Sequence, residues 1–471
     1  MQLTKTDFIQ HLNCPKSLWL LLNAPDEYPH GEFSVFLQKL TREGYEVERY
    51  VRQFFEDAEG RAADFQRVFE TEDGLFARAD ALEAINGGTV LYEIKSSTSV
   101  KTDAAHNHLK DACFQVICAE KTGQQIDAVS LVYLNGEYER AGEIVPEELL
   151  VFEDVTERVR EIEAETAAEM DEALTLLREI ELDRSGCSCL HKSRSNHCDT
   201  FALFNPAIPK PSIYSIPRLS AKKRAELIAN GIFDLLAIPN DYSLTANQTV
   251  VVQAAKSGSP IINLAGIRAF LESLSFPLYF LDYETYASAV PLLDRTSPHK
   301  HFPIQYSLHV LYEDGSLEHN EYLEREARLP DRLLERLSAD VGAEGSVISW
   351  HAAFEKTQNR EMARLFPDYA NYLNHLNERM ADLEDVFKVD YVDARFDGST
   401  SIKKVLPIVC PDLSYHELAV QDGASAMVAW RKMLDAETED SDAIASNLLG
   451  YCELDTFAMV EIYRFLMKLT A

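Results

Sequence analysis

The sequence predicts an α/β protein with two α/β halves and a helical connector between them. Two strand-like runs, Leu75 to Ala84 and Thr89 to Lys95, enclose a strong hairpin signal, and a second block of strands begins after Pro277. Segments with helical spacing accompany both blocks, which is typical of helices packed around a mixed sheet. A chain of 471 residues is long enough for this organisation. The predicted domains are residues 1–200, 201–276 and 277–471.

The N-terminal half begins with helices. Thr4-Lys5-Thr6-Asp7 is a helix start, and apolar residues continue at helical spacing to Leu22. A second helix is predicted from Phe33 to Phe55, ahead of the two strands and their Asn86-Gly87-Gly88 turn. The remaining predicted elements are a helix from His108 to Glu120, a strand from Ala128 to Leu134, and one or two amphipathic helices within Glu147 to Asp183.

Prolines mark the start of the connector: Pro206, Pro209, Pro211 and Pro217. A small helical unit follows from Arg224 to Ile238, with Asn230-Gly231 as a turn; a helix-hairpin-helix and ordinary helical packing both fit this pattern. The C-terminal half then continues mostly as helices after three predicted strands, Leu278 to Leu281, Gln305 to Tyr312 and Val347 to Trp350.

Composition favours a soluble, cytoplasmic protein. No stretch reaches the apolar length of a membrane span, and Met1-Gln2-Leu3-Thr4-Lys5 lacks the layout of a signal peptide. Eight cysteines in a chain of this length are too few and too uneven for a disulfide framework, so a reducing compartment leaves them free to bind metal.

The charge opposes nucleic-acid binding by bulk electrostatics. The chain has 77 acidic and 45 basic residues, a net charge of −32. A nuclease nevertheless needs carboxylates at its metal site, and a narrow basic track can coexist with an acidic surface. Two segments are candidates for such a track, His191 to Arg194 and Pro209 to Arg224.

A first acidic constellation spans the predicted hairpin. Asp80 lies on one strand, and Glu93 and Lys95 lie on one face of the next. Hydrolysis of a phosphodiester needs carboxylates that hold a divalent cation, and an ammonium group nearby can stabilise the developing charge. The alternative is a cross-strand ion pair on a solvated sheet.

These residues resemble the PD-(D/E)XK nuclease superfamily, specifically its RecB-like branch that includes the CRISPR-adaptation exonucleases. Gly44-Tyr45-Glu46-Val47-Glu48 stands where that family has a helical motif, which implies that Glu48 is a further metal-site residue. Gln115 stands at the family's helical glutamine, implied to contact the substrate or the site. The family's following tyrosine is Ala119 here. Without the resemblance, the sequence around Glu48 predicts only an exposed carboxylate on a helix.

Four cysteines flank this half of the chain: Cys14, Cys187, Cys189 and Cys198. Four thiolates suit either tetrahedral zinc or a four-iron cluster, and their spacing does not separate the two. The resemblance implies a structural iron-sulfur (4Fe-4S) cluster. The Cys-x-Cys spacing departs from the family's Cys-x-x-Cys, which leaves zinc, or participation of His197, open. The other cysteines are predicted to be packing residues: Cys113, Cys118, Cys410 and Cys452.

A second acidic constellation follows the strand at Leu278. Asp282 and Glu284 occupy positions i and i+2 of a strand, so both carboxylates point to one face and repel each other. A bound cation would relieve that repulsion. Tyr451 and Asp455 share a face of a predicted helix from Leu448 to Phe465, where they could complete the site. A solvent-facing Asp-x-Glu pair and an ordinary packed helix face are the alternatives.

This set resembles the DEDD family of RNase H-like 3′ to 5′ exonucleases, in the variant with tyrosine before the last aspartate. The resemblance implies that Asp282 and Glu284 form the first motif, Glu355 the second, and Tyr451 with Asp455 the third. The family's second motif normally ends in aspartate after asparagine, so Glu355 is a departure. Ser399 to Lys404 and Asp382 are weaker candidates for substrate contact and metal support, against a solvated loop and a helix cap.

Together these patterns predict a Mg²⁺- or Mn²⁺-dependent nuclease that cleaves phosphodiester bonds in DNA, with RNA as an alternative, exonucleolytically at single-stranded ends. Two rival readings stay open. One is a catalytically degenerate nucleic-acid-binding or assembly protein, favoured by Glu355, Ala119 and the net acidity. The other is a metal hydrolase of nucleotides, which would tolerate the acidic surface.

Overall fold

The computed structural model describes residues 2–29, 35–57, 61–103, 106–415 and 418–471. Helices and sheets are mixed along the chain, which confirms the predicted α/β class. The chain divides into two compact units. Unit 1 comprises Met1–Ala207 and Ser288–His299, and unit 2 comprises Ile208–Ala287 and Lys300–Ala471. Most of the segment predicted as a connector thus belongs to unit 2.

Unit 1 contains six strands among its described residues. Its elements, in chain order, are β1 (Leu3–Thr4), α1 (Lys5–Asn13), α2 (Pro15–Asn23), α3 (Val35–Asp57), β2 (Ala63–Glu70), β3 (Leu75–Ile85), β4 (Gly88–Ile94), α4 (His108–Lys121), β5 (Ala128–Leu134), α5 (Pro146–Leu149), β6 (Leu150–Asp154), α6 (Thr156–Glu161), α7 (Glu163–Arg178) and α8 (Phe201–Phe204).

One sheet organises unit 1, with strand order β1-β3-β4-β5-β6 and with β2 paired to β3. β3 and β4 form the predicted antiparallel hairpin, and β4 and β5 are parallel and joined through α4. Alternate side chains enter different apolar clusters: Leu91 packs with residues of α1, α4 and α7, and Tyr92 packs with residues of α3. The sheet is therefore covered by helices on both faces.

Three predictions for unit 1 need correction or fall outside the described residues. The first helix breaks at Cys14, because Pro15 cannot continue α1 and instead occupies the first turn of α2. The predicted helix start at Phe33 lies outside the described residues; α3 is described from Val35. The segment predicted as amphipathic helices contains strand β6, because pairing with β5 overrides its local helical pattern.

Unit 2 carries the second sheet and the connector helices. Its elements are α9 (Ala221–Ala229), α10 (Ala246–Ser257), β7 (Ile261–Ile262), α11 (Leu264–Glu272), β8 (Leu278–Tyr286), β9 (Phe302–Leu311), β10 (Leu317–Leu323), α12 (Asp331–Asp340), β11 (Ser346–Ser349), α13 (Ala353–Leu365), α14 (Ala370–Glu378), β12 (Met380–Asp382), α15 (Glu384–Val389), β13 (Tyr391–Val392), α16 (Ile402–Val409), α17 (Gly423–Asp435) and α18 (Thr438–Thr470).

The main sheet of unit 2 has the order β10-β9-β8-β11-β12. β10, β9 and β8 form an antiparallel meander, and β11 and β12 continue in parallel with β8. The strand predicted to end at Leu281 continues to Tyr286, because β9 pairs with it along that length. Asp282 and Glu284 therefore lie within the central strand, at the i and i+2 strand positions that the sequence predicted. None of the described helices is long and apolar enough to cross a membrane.

The predicted helical unit of the connector is two elements. α9 ends at Ala229 with Asn230 as its C-cap, and Gly231 adopts the left-handed conformation at φ 69° that the sequence signal indicated. A short 3₁₀ turn and then α10 follow, and their apolar residues share one small cluster with α9. The long helix predicted to begin at Leu448 starts ten residues earlier, at Thr438.

A partly buried ion pair in unit 1 gives a test of this fold. Arg61 donates to both carboxylate oxygens of Glu83, at 2.8 and 2.6 Å, and Tyr92 donates to Glu83 at 2.8 Å. These contacts hold the pKa of Glu83 below its ordinary value. We expect Glu83→Gln to lower the free energy of unfolding by about 1–3 kcal/mol at pH 7.

Because the folded-state pKa of Glu83 is depressed, this contribution is present above the unfolded pKa and is lost on acidification. The difference between wild type and Glu83→Gln should therefore shrink between about pH 5 and pH 3 in urea denaturation followed by circular dichroism. Glu72→Gln, at an exposed glutamate, is the matched control. A difference that stays constant across this pH range would contradict the assignment.

Candidate metal centres

Three carboxylates of unit 2 converge from distant parts of the chain. Oxygens of Asp282, Glu284 and Asp455 all lie within 4.8 Å of one another. The first two are on β8, two residues apart and therefore on one face, and the third is on α18, which packs against β8 and β9. Three carboxylates at this separation are a ligand set for a hard divalent cation.

The electrostatics of this group favour a cation. Burial, reinforced by repulsion from neighbouring carboxylates, raises the pKa of Asp282 and of Glu284 well above their ordinary values. Burial also raises the pKa of Asp455 to about 6. Like charges in a buried site stabilise the protonated forms, whereas a divalent cation would stabilise all the ionised forms together.

The carboxylates of Asp282, Glu284 and Asp455 line a cavity of about 800 Å³. Two other site residues selected from the sequence, Glu355 and Tyr451, also line this cavity. Glu355 is in the first turn of α13 and is only 3% exposed. Its Oε2 is buried and has no hydrogen-bond partner among the described residues. Burial, with repulsion from Asp282, raises its pKa. An unpaired buried carboxylate oxygen beside three other carboxylates fits a metal centre better than a packed core.

Three further side chains contact Tyr451 or the acidic residues. The Lys403 ammonium donates to the Tyr451 hydroxyl at 3.1 Å, and Tyr415 donates to Oδ1 of Asp455 at 2.6 Å. The Cys452 thiol lies 3.5 Å from Oδ2 of Asp282, so this predicted packing residue borders the site. Sequence reasoning missed Tyr415, because no motif or periodicity connects it with Asp455 across the intervening loop and helix.

A loop after α15 forms another wall of the cavity. Gly398 adopts φ +74°, and a Cβ there would lie 2.6 Å from the carbonyl oxygen of Ser215, so only glycine fits. The following residues, Ser399 to Lys403, line the cavity, where substrate contact was predicted for them. Asp382 is not among the lining residues. Its Oδ1 accepts from the backbone N–H groups of His351 and Glu384, which matches the cap alternative.

The predicted centre of unit 1 has a different arrangement. Glu93 and Lys95 approach within 2.7 Å, and Gln115 also donates to Glu93. Asp80 accepts the backbone N–H of Ile94 at 2.9 Å. The structure thus brings the predicted residues of β3, β4 and α4 to one place.

Lys5 also belongs to this centre, although it was not selected from the sequence. Its ammonium donates to Oε1 of Glu93 at 2.6 Å. Burial favours a protonated Glu93, but the ammonium groups of Lys5 and Lys95 bring the pKa of Glu93 to about 2. Burial and the Glu93 charge raise the pKa of Asp80 to about 7. Glu93 is therefore already neutralised by two lysines.

Glu48 is engaged elsewhere. Arg52 donates to its Oε1 at 2.9 and 2.6 Å, and Gln66 donates to its Oε2 at 2.8 Å. Among the described residues, Asp80, Glu93 and Glu48 do not form a group of three converging metal ligands. The first centre is consequently less prepared for a metal than the acidic group of unit 2.

The four cysteines predicted to form a cluster do converge. The thiols of Cys14, Cys187, Cys189 and Cys198 all lie within 4.8 Å of one another. Cys14 stands at the break between α1 and α2, and the other three lie on short turns near the end of unit 1. A metal bound here would link the N-terminal helices to the end of the unit. The free energy of metal binding would offset the entropy lost on closing a long loop.

The four thiols change one another's pKa values. Hydrogen bonds from Cys14 and the other thiols lower the pKa of Cys189, and the same contacts raise the pKa of Cys198. Because metals bind thiolates, metal binding would release the protons that the thiols carry. Because four thiols suffice for a tetrahedral site, His197 is not needed; its ring stacks on Phe201 at 3.5 Å between centroids.

Comparison with known proteins identifies related sequences without a described activity. Residues 279–401 match the family described as a domain of unknown function (DUF2779). The matched segment contains Asp282, Glu284 and Glu355 and ends before Tyr451. The chain is also similar to an uncharacterized protein, the MG366 homolog of Mycoplasma pneumoniae, with 29% identity over 211 residues, 40% of this chain and 32% of that protein. The chain thus spans about a third of the length of this curated relative.

The acidic group predicts an unusual stability effect. In the absence of divalent cations, Asp282→Asn should raise the free energy of unfolding by about 1–2 kcal/mol at pH 8, because it removes one of several like charges. The same variant should lose most of the thermal stabilisation that Mn²⁺ gives to wild type. Differential scanning fluorimetry with and without Mn²⁺ measures both. Asp314→Asn, in an exposed turn, is the control; a Mn²⁺ response that Asp282→Asn leaves intact would contradict the metal assignment.

The cysteine cluster predicts a specific loss of metal. Cys189→Ser should reduce the iron or zinc content of anaerobically purified protein and lower the free energy of unfolding by about 3 kcal/mol or more. Elemental analysis and thermal unfolding measure the two effects. Cys118→Ser provides the control because Cys118 is equally buried but lies in the apolar core. It should lose stability with its metal content unchanged, and equal metal content in both variants would exclude Cys189 as a ligand.

Proposed function

We propose that this chain is a metal-dependent nuclease whose principal catalytic centre is the acidic group of unit 2. The observation that carries the proposal is the convergence of Asp282, Glu284 and Asp455 within 4.8 Å, in a cavity shared with Glu355 and Tyr451. Each of these residues was predicted from motifs in separate segments of the sequence. Their assembly in one cavity is what a DEDD-type exonuclease centre requires.

The strand order of unit 2 supports the same proposal. Three strands of unit 2 form an antiparallel meander, and two parallel strands extend the sheet on the side of the first strand. This is the arrangement expected of an RNase H-like sheet. In that arrangement the first strand is central and carries the first acidic motif. Here that strand is β8, which bears Asp282 and Glu284. A fold alone does not specify an activity, so the proposal depends on the side chains.

The residues of the cavity suit hydrolysis of a phosphodiester. A divalent cation held by the carboxylates would supply Lewis acidity and lower the pKa of a bound water. Tyr451 stays a neutral phenol, since burial and nearby carboxylates raise its pKa. Its hydroxyl can orient the attacking water while Lys403 holds the phenol in place. Lys403 also brings positive charge to a cavity of acidic groups, where it can contact the phosphate.

The shape of the cavity favours action at a chain end. Its volume of about 800 Å³ is within the usual range for sites that bind small ligands and is too small for a duplex. The aromatic side chains of Trp350 and Phe354 line it and can stack against an unpaired base. We therefore propose an exonuclease acting on single-stranded ends, with DNA as the main substrate and Mg²⁺ or Mn²⁺ as cofactor.

Unit 1 supports a second nuclease centre of PD-(D/E)XK type. The order helix, three strands, helix and strand, from α3 to β5, is the core expected of that superfamily, and Asp80, Glu93 and Lys95 lie together on it. The two lysines that neutralise Glu93 favour another function for this unit, namely nucleic-acid binding without catalysis. The cysteine cluster would then be structural under either function, and we propose that it holds an iron-sulfur cluster.

A cleavage assay separates these functions. Single-stranded DNA and RNA labelled at either end are incubated with Mn²⁺ or Mg²⁺ and wild type, Asp282→Asn or Lys95→Ala. We expect wild type to shorten the strands stepwise and Asp282→Asn to reduce that activity by at least about 100-fold, because it removes a metal ligand. If unit 1 is catalytic, Lys95→Ala removes a second activity of different polarity or substrate preference.

Asp314→Asn and Lys432→Ala, at exposed positions, are the matched controls and should cleave as wild type does. An activity that is unchanged in Lys95→Ala assigns unit 1 to binding. Turnover of mononucleotides without cleavage of any strand would favour a nucleotide hydrolase. Absence of both activities, with tight strand binding retained, would favour the degenerate binding protein and contradict the proposal.

A further inference from the structure

A second group of metal-ligating side chains lies outside the acidic cavity of unit 2. Ligand atoms of His309, His319 and Glu453 lie within 4.8 Å of one another. The two histidines are directly opposite each other on β9 and β10, with ring centroids 4.4 Å apart, and Glu453 comes from α18. The group therefore joins two strands to the helix that also carries Tyr451 and Asp455.

Hydrogen bonds leave one nitrogen of each imidazole for a ligand. Nδ1 of His309 lies 2.8 Å from the Thr456 hydroxyl, and Nε2 of His319 lies 3.0 Å from the Ser307 hydroxyl. The two hydroxyl oxygens are 2.7 Å apart, and Thr456 donates to the carbonyl of Glu453 at 3.0 Å.

One proton arrangement satisfies all four contacts. Thr456 uses its proton on the carbonyl of Glu453, so its oxygen accepts from Ser307 and from Nδ1 of His309. Ser307 has then used its own proton and accepts from Nε2 of His319. In this arrangement the hydrogen-bonded nitrogens carry the protons, so a neutral ring presents its lone pair on Nε2 of His309 and on Nδ1 of His319. Metal-bound histidines are typically oriented by such hydrogen bonds from the other ring nitrogen.

A fourth side chain adds an independent observation. Glu321 is two residues after His319 on β10, on the same strand face, and its electrostatic environment includes both His319 and Glu453. Its Oε2 is buried and has no hydrogen-bond partner among the described residues. Two imidazoles and the Glu453 carboxylate make a mixed nitrogen and oxygen set for one cation. Glu321 lies outside this converging group and adds negative charge beside it.

We propose that His309, His319 and Glu453 bind a divalent transition metal of the Zn²⁺ class. Imidazole nitrogen selects such ions over Mg²⁺, whereas the acidic cavity offers carboxylate oxygens, which Mg²⁺ and Mn²⁺ prefer. The metal would fasten β9 and β10 to α18 close to Asp455. The site is thus structural, and its occupancy does not depend on the nuclease activity proposed above.

Cobalt binding tests this site in the full chain. Protein purified anaerobically, with its cysteine cluster occupied, is stripped of loosely bound metal and titrated with Co²⁺ in excess Mg²⁺, which competes for the acidic cavity. Wild type should bind Co²⁺ with a visible absorption band that lacks thiolate-to-cobalt charge transfer. Glu453→Gln and His319→Gln should each weaken that binding at least about tenfold. These two positions are partly exposed, so the variants should fold as judged by circular dichroism.

Two controls make the result specific. Glu439→Gln changes an exposed carboxylate of α18, and Asp455→Asn changes the acidic cavity; both should retain the cobalt signal. Zn²⁺ should raise the melting temperature of wild type and of Asp455→Asn but not of Glu453→Gln. Equal Co²⁺ affinity in wild type, Glu453→Gln and His319→Gln would overturn the proposal, as would a signal that only Asp455→Asn abolishes.

Discussion

Repulsion between buried carboxylates is the constraint on which the candidate site of unit 2 depends. β8 is the central strand of its sheet, and strand geometry directs Asp282 and Glu284 to the same face. α18 then adds Asp455, and α13 adds Glu355 with a buried oxygen that has no partner among the described residues. Burying these charges together destabilises the folded chain unless a cation or protons neutralise them, so the arrangement is explained best by metal binding.

Unit 1 also buries a carboxylate, but ammonium groups of the chain balance its charge. Glu93 is completely buried, but the ammonium groups of Lys5 and Lys95 both contact its Oε1 and neutralise it within the chain itself. The charge of this glutamate is balanced without a metal, and a cation would have to displace both Lys5 and Lys95 to reach Oε1 of Glu93. The two acidic constellations therefore have similar residues in the sequence, but the carboxylates of unit 2 need a cation or protons from solution to balance their charge. This difference makes unit 2 the stronger candidate for catalysis.

Local patterns predicted the elements well where neighbouring residues decide the structure. The limits of β5 agree with the prediction, and the hairpin of β3 and β4 forms at its Asn-Gly-Gly turn. The failures involve partners distant in sequence. β6 exists because β5 pairs with it, β8 is longer because β9 extends alongside it, and Tyr415 reaches Asp455 only through the tertiary arrangement. Lys5 was overlooked because a lysine in a helix start carries no signal that a buried glutamate lies nearby.

The most direct test is to locate the cation. A crystal of the full chain soaked in Mn²⁺ and measured near the manganese absorption edge would show anomalous density wherever the ion is bound. We expect a peak at coordination distance, about 2.1–2.3 Å, from carboxylate oxygens of Asp282, Glu284 and Asp455. If the carboxylates are ordered and no anomalous peak lies among them at saturating Mn²⁺, this result would contradict metal binding by the three residues.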